Sequence, residues 1–342
     1  GGGTAGDDTL TGTSGDDTLD GGAGNDRVEY ADGADGVSFA LAGTDVVVST
    51  ATEGTDTLQN VERLLLGDGV EVALSVADGR LTVTRNDTAD AHAWSALETV
   101  YDASGRIEET TTDDDGDVTA FTWYPGGGWA SRLYTDGAND DSYTTFLMER
   151  REDGSVARQF WVYDDLEEVE RLYLEGGGQV QTRTDVGDQE RFDTFTITRD
   201  ASGTVTQRHW LYDNGDEVTI DYLPDGGEDR LYTDGEERFP WAERTFEIDA
   251  GGDTFRIWQR EDTGDESDWR DNGDGTFTRR WWDYAEDDAS YAERTIVSNA
   301  ADERLRDEVV ADDGDVREDV LAADGTLTRT FTDGAGNDAY AT

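Results

Sequence analysis

One short triplet constrains this chain more than anything else in it: glycine, aspartate two residues on, an aliphatic residue two further, at almost nine-residue spacing. It reads Gly6-Asp8-Leu10, Gly15-Asp17-Leu19, Gly24-Asp26-Val28, Gly33-Asp35-Val37, Gly43-Asp45-Val47 and Gly54-Asp56-Leu58. A repeat this short is a turn followed by a brief strand. Glycines let the backbone take positive φ and bring its carbonyls close to an ion. The aspartate adds a hard carboxylate oxygen of the kind calcium prefers, and the aliphatic residue points into a narrow core. The spacing slips to ten and eleven residues at Asp45 and Asp56, which makes those two lesser candidates.

Residues 3–29 hold three consecutive nonapeptides, GTAGDDTLT, GTSGDDTLD and GGAGNDRVE. They resemble the RTX, or haemolysin-type calcium-binding, repeat. Thr4 and Thr13 stand where that family has its second glycine, and weaker binding is expected there. The fourth repeat, 30–38, keeps only Gly33, Asp35 and Val37. The segment GTDTLQNVERLLLGDG (54–69) resembles what closes such a roll. The resemblance implies a parallel β-roll in which two nonapeptides make one coil. Asp8 then stacks with Asp26, and Asp17 with Asp35. It also implies Ca2+ as cofactor, with Asp8, Asp17, Asp26 and Asp35 as leading ligands and carbonyls near Gly6, Gly15, Gly24 and Gly33 completing the shell. Proteins of this kind leave the cell through a type I channel and fold on meeting calcium outside. An extracellular or cell-surface location is therefore expected.

Charge fits that reading. The chain has 81 Asp and Glu against 27 basic residues, a net charge of −54, and every basic residue is arginine. Phosphate backbones and anionic membrane surfaces are repelled, which excludes nucleic acid as a partner. Crowded carboxylates oppose compaction, and an ion bound only by folded turns reverses this by mass action. Screening by a saline habitat is a competing explanation. Cysteine is absent, so calcium takes the stapling role that disulfides play in many exported proteins. No apolar run approaches the ~20 residues that span a bilayer. The chain opens at Gly1 and stops inside a repeat, so it is expected to be part of a longer protein.

Beyond residue 68 the period changes. Asp87, Asp136, Asp185, Asp234, Asp283 and Asp333 are spaced by 49, 49, 49, 49 and 50 residues, and Trp94, Tyr143, Phe192, Trp241, Tyr291 and Tyr340 follow them. Turn signals such as Asp102-Ala-Ser-Gly105 and Asp153-Gly154 fall between stretches rich in Val, Thr, aromatics and Arg. Each repeat therefore predicts four antiparallel strands in a meander. The expected fold is all-β: a calcium β-roll at 1–67, a half repeat at 68–86, then a tandem array at 87–342. An extended array is favoured over the alternative, a β-propeller, because the strands carry polar residues on both faces, as in RTDVGDQERFDTFTITR (183–199). VYDASGRIEETTTDDDGDVTAFTWY (100–124) also resembles tyrosine–aspartate repeats of secreted proteins, and no function is carried over from that.

Only His92 and His209 offer imidazole, and neither lies in a catalytic motif, so no enzyme is expected. Asp113-x-Asp115-x-Asp117 does not fit the EF-hand loop, and its plainer reading is a capped hairpin turn. Trp161, Trp210 and Trp258 share one register and are candidate glycan contacts, although aromatics also favour cross-strand positions. The expected function is a calcium-dependent structural repeat protein: an adhesin stalk, surface-layer component or matrix filament. Its partners are calcium, copies of itself or surface glycans. A lectin-like module and a non-catalytic region of a secreted enzyme stay open as alternatives.

Overall fold

The computed structural model describes residues 2–284 and 291–334, and the chain divides after Tyr173 into two compact units. Tyr340 lies outside the described residues. In the first unit each nonapeptide ends in a three-residue strand centred on its aliphatic residue: β1 (Thr9–Thr11), β2 (Thr18–Asp20) and β3 (Arg27–Glu29). Odd and even repeats go to opposite sides, so β1 runs parallel to β3 with Leu10 opposite Val28.

The roll is shorter than the motif count implies. After one 3₁₀ turn at Ala34–Gly36 the chain leaves it as an antiparallel hairpin, β4 (Val37–Ala42) and β5 (Asp45–Thr50). Then β6 (Thr55–Gln59) returns to lie parallel to β2, with Leu19 opposite Leu58. The cause is local. VSFALA alternates buried and more exposed residues over six positions and DVVVST over its first five, and Gly43 takes φ +72° between them. That pattern suits a hairpin with one buried face better than another three-residue rung. Asp17 therefore faces the Asp56 turn, and the expected Asp17–Asp35 stack does not form. β7 (Arg63–Leu65) extends the parallel side beside β3, and β8 (Glu71–Ala77) and β9 (Arg80–Asn86) follow as a hairpin.

Among the described residues, every buried apolar side chain lies between Leu19 and Val83 except Val169 and Ile248. Leu19, Val28, Val48, Leu58, Leu64, Val70 and Val83 form one cluster, against which Leu10, Leu41, Trp94 and Tyr101 rest. Each fully buried side chain of this size contributes ~1.5–3 kcal/mol. The hydrophobic effect thus acts mainly in the first quarter of the chain.

From Trp94 to Tyr173 in the first unit, and from Gln179 to Thr332 in the second, strands follow one another in antiparallel meanders. Pairing does not stop at the repeat boundary: Leu133 of Trp129–Thr135 faces Leu147 of Tyr143–Arg150, and Leu231 of Glu228–Thr233 faces Thr245 of Trp241–Ile248. Blades of a propeller are separate sheets. Within each unit the open array is the one observed.

With both faces wet, charge pairs and aromatics hold the sheet. Arg158, Gln207, Arg256 and Arg306 occupy one register and donate to Glu170 (2.6 Å), Asp221 (2.7 Å), Asp268 (2.7 Å) and Glu318 (2.8 Å) on the next strand. Asp307, 1% exposed, accepts from Arg294 (3.0 Å) and Arg304 (2.7 Å). Guanidinium groups also lie over rings, Arg150 on Trp129 at 3.9 Å and Arg106 on Trp123 at 4.0 Å. Cross-strand pairs of these kinds contribute ~0.2–1 kcal/mol each.

The long period is set by the connector after every fourth strand. The side chains of Asp87, Asp136, Asp185 and Asp234 accept the N–H five residues on, from His92 (2.6 Å), Asp141 (3.0 Å), Glu190 (2.5 Å) and Phe239 (2.6 Å). The third residue after each aspartate is left-handed: Asp90, Asn139, Asp188 and Glu237, at φ between 52° and 57°. A second left-handed position ends the middle hairpin of each repeat. Gly116, Gly215, Gly264 and Gly314 fill it at φ 79–101°, whereas Leu166 fills it at φ +70°. That conformation costs a side chain ~1–2 kcal/mol. Glycine in turn gains ~0.4–1 kcal/mol of unfolded-state entropy. Leu166→Gly is therefore expected to raise stability by roughly 0.5–1 kcal/mol, seen as a higher urea midpoint with unchanged slope. An unchanged or lower midpoint contradicts the strain at Leu166.

Candidate metal centre

The roll turns are built where glycine permits contact that no other residue allows. A Cβ on Gly3 would lie 2.1 Å from the Gly21 carbonyl oxygen, and one on Gly21 would lie 2.1 Å from the Asn60 carbonyl oxygen. The same points lie 3.0 Å from Asp8 Oδ2 and 2.6 Å from Asp26 Oδ2 respectively. Carbonyl and carboxylate oxygens therefore converge, turn upon turn, on space that a side chain cannot share.

One edge of the roll carries a ladder. Asp8 N–H donates to Asp26 Oδ1 at 2.7 Å, and Asp26 N–H donates to Glu62 Oε2 at 2.8 Å. Asp8 thus stacks over Asp26, and Glu62 supplies the third rung. On the opposite edge Asp17 N–H donates to Asp56 Oδ1 at 2.9 Å, and the Tyr30 hydroxyl donates to Asp56 Oδ2 at 3.0 Å. Burial, reinforced by the Asp56 carboxylate, pushes the Tyr30 phenol well up. Asp56 is only 1% exposed, and a Cβ on Gly12 would meet its Oδ2 at 3.2 Å and Asp17 Oδ2 at 3.4 Å.

The turns differ in what their aspartates already hold. Thr4 donates its N–H and hydroxyl to Asp8 Oδ2 (2.5 and 2.9 Å), and Thr13 does the same to Asp17 Oδ2 (2.6 and 2.8 Å). The Thr13 backbone and side-chain bonds hold the Asp17 carboxyl below the usual carboxylate range. In the third turn Gly22 replaces threonine, and Asp26 Oδ2 has no hydrogen-bond partner on a side chain 0% exposed. A buried carboxylate oxygen left alone is costly unless a cation meets it. Oxygen-only donors beside it suit Ca2+, which takes carboxylates and backbone carbonyls together. The residues fit such an ion, with Asp26 and the Asn60 carbonyl as its first holders.

The other sequence candidates are placed differently. Gly6 and Gly15 face open space, and Gly24, at φ +150°, closes on the Gly6 carbonyl. Asp35 is exposed beside Gly33, whose Cβ position is filled by Asp68 Oδ2. Burial raises Asp68, but bonds from Ala34 N–H and His92 outweigh it and leave the carboxyl below its usual range. Asp45 starts β5 and accepts Gln59 Nε2 at 2.9 Å. Sequence reasoning missed Asn60, Glu62 and Asp68, none of which stands at a Gly-x-Asp position.

Of the three tryptophans, Trp161 has Phe146 at 5.3 Å and Arg171 over its face at 5.6 Å, and Trp210 stacks on Phe195 at 4.8 Å. Trp258 lines a small cleft with Thr245, Glu247 and Arg256. His92 Nε2 lies 3.0 Å from Asp68 Oδ2, and His209 Nε2 lies 3.2 Å from Glu217 Oε2. Asp115 Oδ1 accepts Asp117 N–H at 3.4 Å, so the Asp113–Asp117 stretch is a capped hairpin turn.

Residues 2–37 match the family described as the RTX calcium-binding nonapeptide repeat (4 copies). No curated protein matches the chain. Among solved structures, the TcdB2-TccC3 crystal structure is 9% identical, with 87% of this chain and 21% of that chain covered and a TM-score of 0.15. The chain thus spans about a fifth of that chain's length (21%). Kap60 bound to yeast RCC1 (Prp20) is 8% identical, covering 68% of this chain and 70% of that one, at a TM-score of 0.13. Neither likeness carries an argument here.

The ranking of the turns is testable. Asp26→Asn is expected to weaken calcium uptake by the roll severalfold in a chelator-buffered titration followed by far-UV circular dichroism, whereas Asp35→Asn leaves the midpoint nearly unmoved. Equal effects of the two substitutions contradict the placement of the site.

Proposed function

We propose that this chain is a calcium-dependent structural repeat protein of the cell exterior. Its roll, residues 1–67, folds on calcium after export; residues 68–86 join it to the array at 87–342, which serves as stalk, surface-layer or matrix material. The observation that carries this reading is the buried, unpartnered Asp26 Oδ2 among converging carbonyls. Family likeness over residues 2–37 and the net charge of −54 support it. In a cytosol poor in calcium such a chain stays expanded by its own repulsion, a state suited to passage through a type I channel. Outside, each saturated site stabilises the fold by ~2.7 kcal/mol once calcium reaches ~100 times its dissociation constant. No described helix is long and apolar enough to cross a membrane.

A glycan-binding role has one specific support, the Trp258 cleft, because the faces of Trp161 and Trp210 are already engaged within the sheet. The structural reading is preferred because it uses both the roll and the array.

Thermal unfolding of the full chain by circular dichroism tests it, comparing calcium with a chelator at matched ionic strength. The midpoint of the roll transition is expected to rise with calcium and not with equimolar magnesium. A melting curve indifferent to the chelator at moderate salt overturns the proposal.

A further inference from the structure

The strands of the second unit sort their charge by face. Directly opposed residues of antiparallel neighbours share a face. The pairings of the six strands from Gln179–Asp185 to Trp241–Ile248 therefore fix the side that each residue takes. Arg183, Phe195, Trp210, Val218, Tyr232 and Arg244 follow one another in one row. Beside it, on the same face, run Ile197, Arg208, Ile220, Arg230 and Phe246. The opposite face carries Glu217, Asp221, Asp229, Glu243 and Glu247, and none of the arginines of these strands. Glu228, at the rim of the arginine face, is taken by Arg230.

Sorting of this kind keeps cations from anions that the chain has in excess. With 81 acidic and 27 basic residues, every guanidinium could have a carboxylate. Yet among the described residues no carboxylate pairs with Arg208 or Arg244. Both are half-buried, their guanidinium groups lying over the rings of Tyr222 (5.6 Å) and Phe246 (4.8 Å), and the Nε of each has no partner. On the other face Asp229 has no cation either; burial and the charges of Glu247 and Asp221 hold its carboxyl above the usual range. The first unit, taken by itself, repeats the pattern. Arg132 and Arg150 lie over Phe121 (5.9 Å) and Trp129 (3.9 Å) without a carboxylate among the described residues. Glu149 and Glu170 are on the opposite face with Arg158.

We infer that the arginine face of one copy seats on the carboxylate face of the next, building an open stack of copies that all face the same way. A heterologous contact of this kind does not pair off as a dimer and can grow as a filament. The inference rests on the structural role proposed for the array and names its partner, a second copy of this chain. Charge complementarity carries it: the carboxylate face belongs to the same strands as the arginine face, so it offers opposite charge on the same ~4.8 Å strand spacing. A free polyanion brings the charge without that spacing. Six strands of about six residues present roughly 600 Å2, short of the ~800 Å2 per partner in a stable complex. The net charge of −54 on each copy adds repulsion. The association is therefore weak and depends on concentration.

Sedimentation velocity of the full chain in calcium, at low salt and rising protein concentration, tests it. The native chain is expected to associate, and added sodium chloride to reverse this. Arg208→Glu with Arg244→Glu is expected to stay monomeric, as is Asp221→Arg with Asp229→Arg, and an equimolar mixture of the two double variants to associate again. Circular dichroism checks that each variant keeps its strands. Arg208→Gln with Arg244→Gln, a milder change, is expected to weaken association severalfold. A native chain that stays monomeric, double variants that associate as the native chain does, or a mixture that stays monomeric overturns the stack. So does polygalacturonate that sediments with a monomeric native chain through Arg208 and Arg244, which makes an acidic polysaccharide the occupant. A monomeric chain whose roll still melts at higher temperature in calcium leaves the calcium reading standing.

Discussion

Repulsion among carboxylates is the constraint that everything else in this protein answers to. With 81 acidic and 27 basic residues, at most a third of the negative charge can be met from within the chain. The array uses what there is, placing guanidinium groups between carboxylates on neighbouring strands, as Arg256 does between Glu247 and Asp268. Arginine suits this because its planar fork serves two acceptors and its face lies on an aromatic ring, where lysine offers a hydrated point charge. The roll takes another course. Its aspartates are satisfied partly by backbone N–H groups and threonines, whereas Asp26 Oδ2 is met by nothing in the chain itself.

These solutions divide the labour between apolar burial and polar pairing. Nearly all the buried apolar side chains lie in the roll and the hairpin β8–β9, so that region can fold as a two-sided core around stacked turns. The array has strands whose residues are mostly half exposed, and it gains order from many small cross-strand terms instead of one large core. Such terms add along the chain with each repeat contacting its neighbours, as in other repeat proteins. A well-formed hydrophobic end therefore gives the meander a starting edge: β9 pairs with Trp94–Asp102, Val83 lying opposite Thr99.

Much of this was legible in the residues. The three nonapeptides, the four-strand repeat and the open array follow from period and turn chemistry, and the stacking of Asp8 over Asp26 from what the RTX resemblance implies. The hairpin at 37–50 was not read, because Gly43-x-Asp45 imitates the motif while the alternation around it belongs to a different structure. Asn60, Glu62 and Asp68 were illegible for a simpler reason: they meet the roll through the backbone path of the closing segment, which no local spacing encodes. The aspartate period was visible, but its cause lay in a left-handed residue three positions on, where Asp90, Asn139, Asp188 and Glu237 share a backbone angle and no common side chain. Leu166 was hidden in the same way, since its left-handed backbone angle leaves no mark on the residue type.

A cation meeting buried oxygens in the roll is the central requirement of this fold, and residue-resolved amide exchange reads it directly. In calcium, the N–H groups of Asp8, Asp17 and Asp26, which bond to the next turn's carboxylates, are expected to be strongly protected. In chelator with sodium at the same ionic strength, they are expected to exchange far faster. Equal protection of these amides in sodium and in calcium would contradict the account, because screening alone would then hold the turns together.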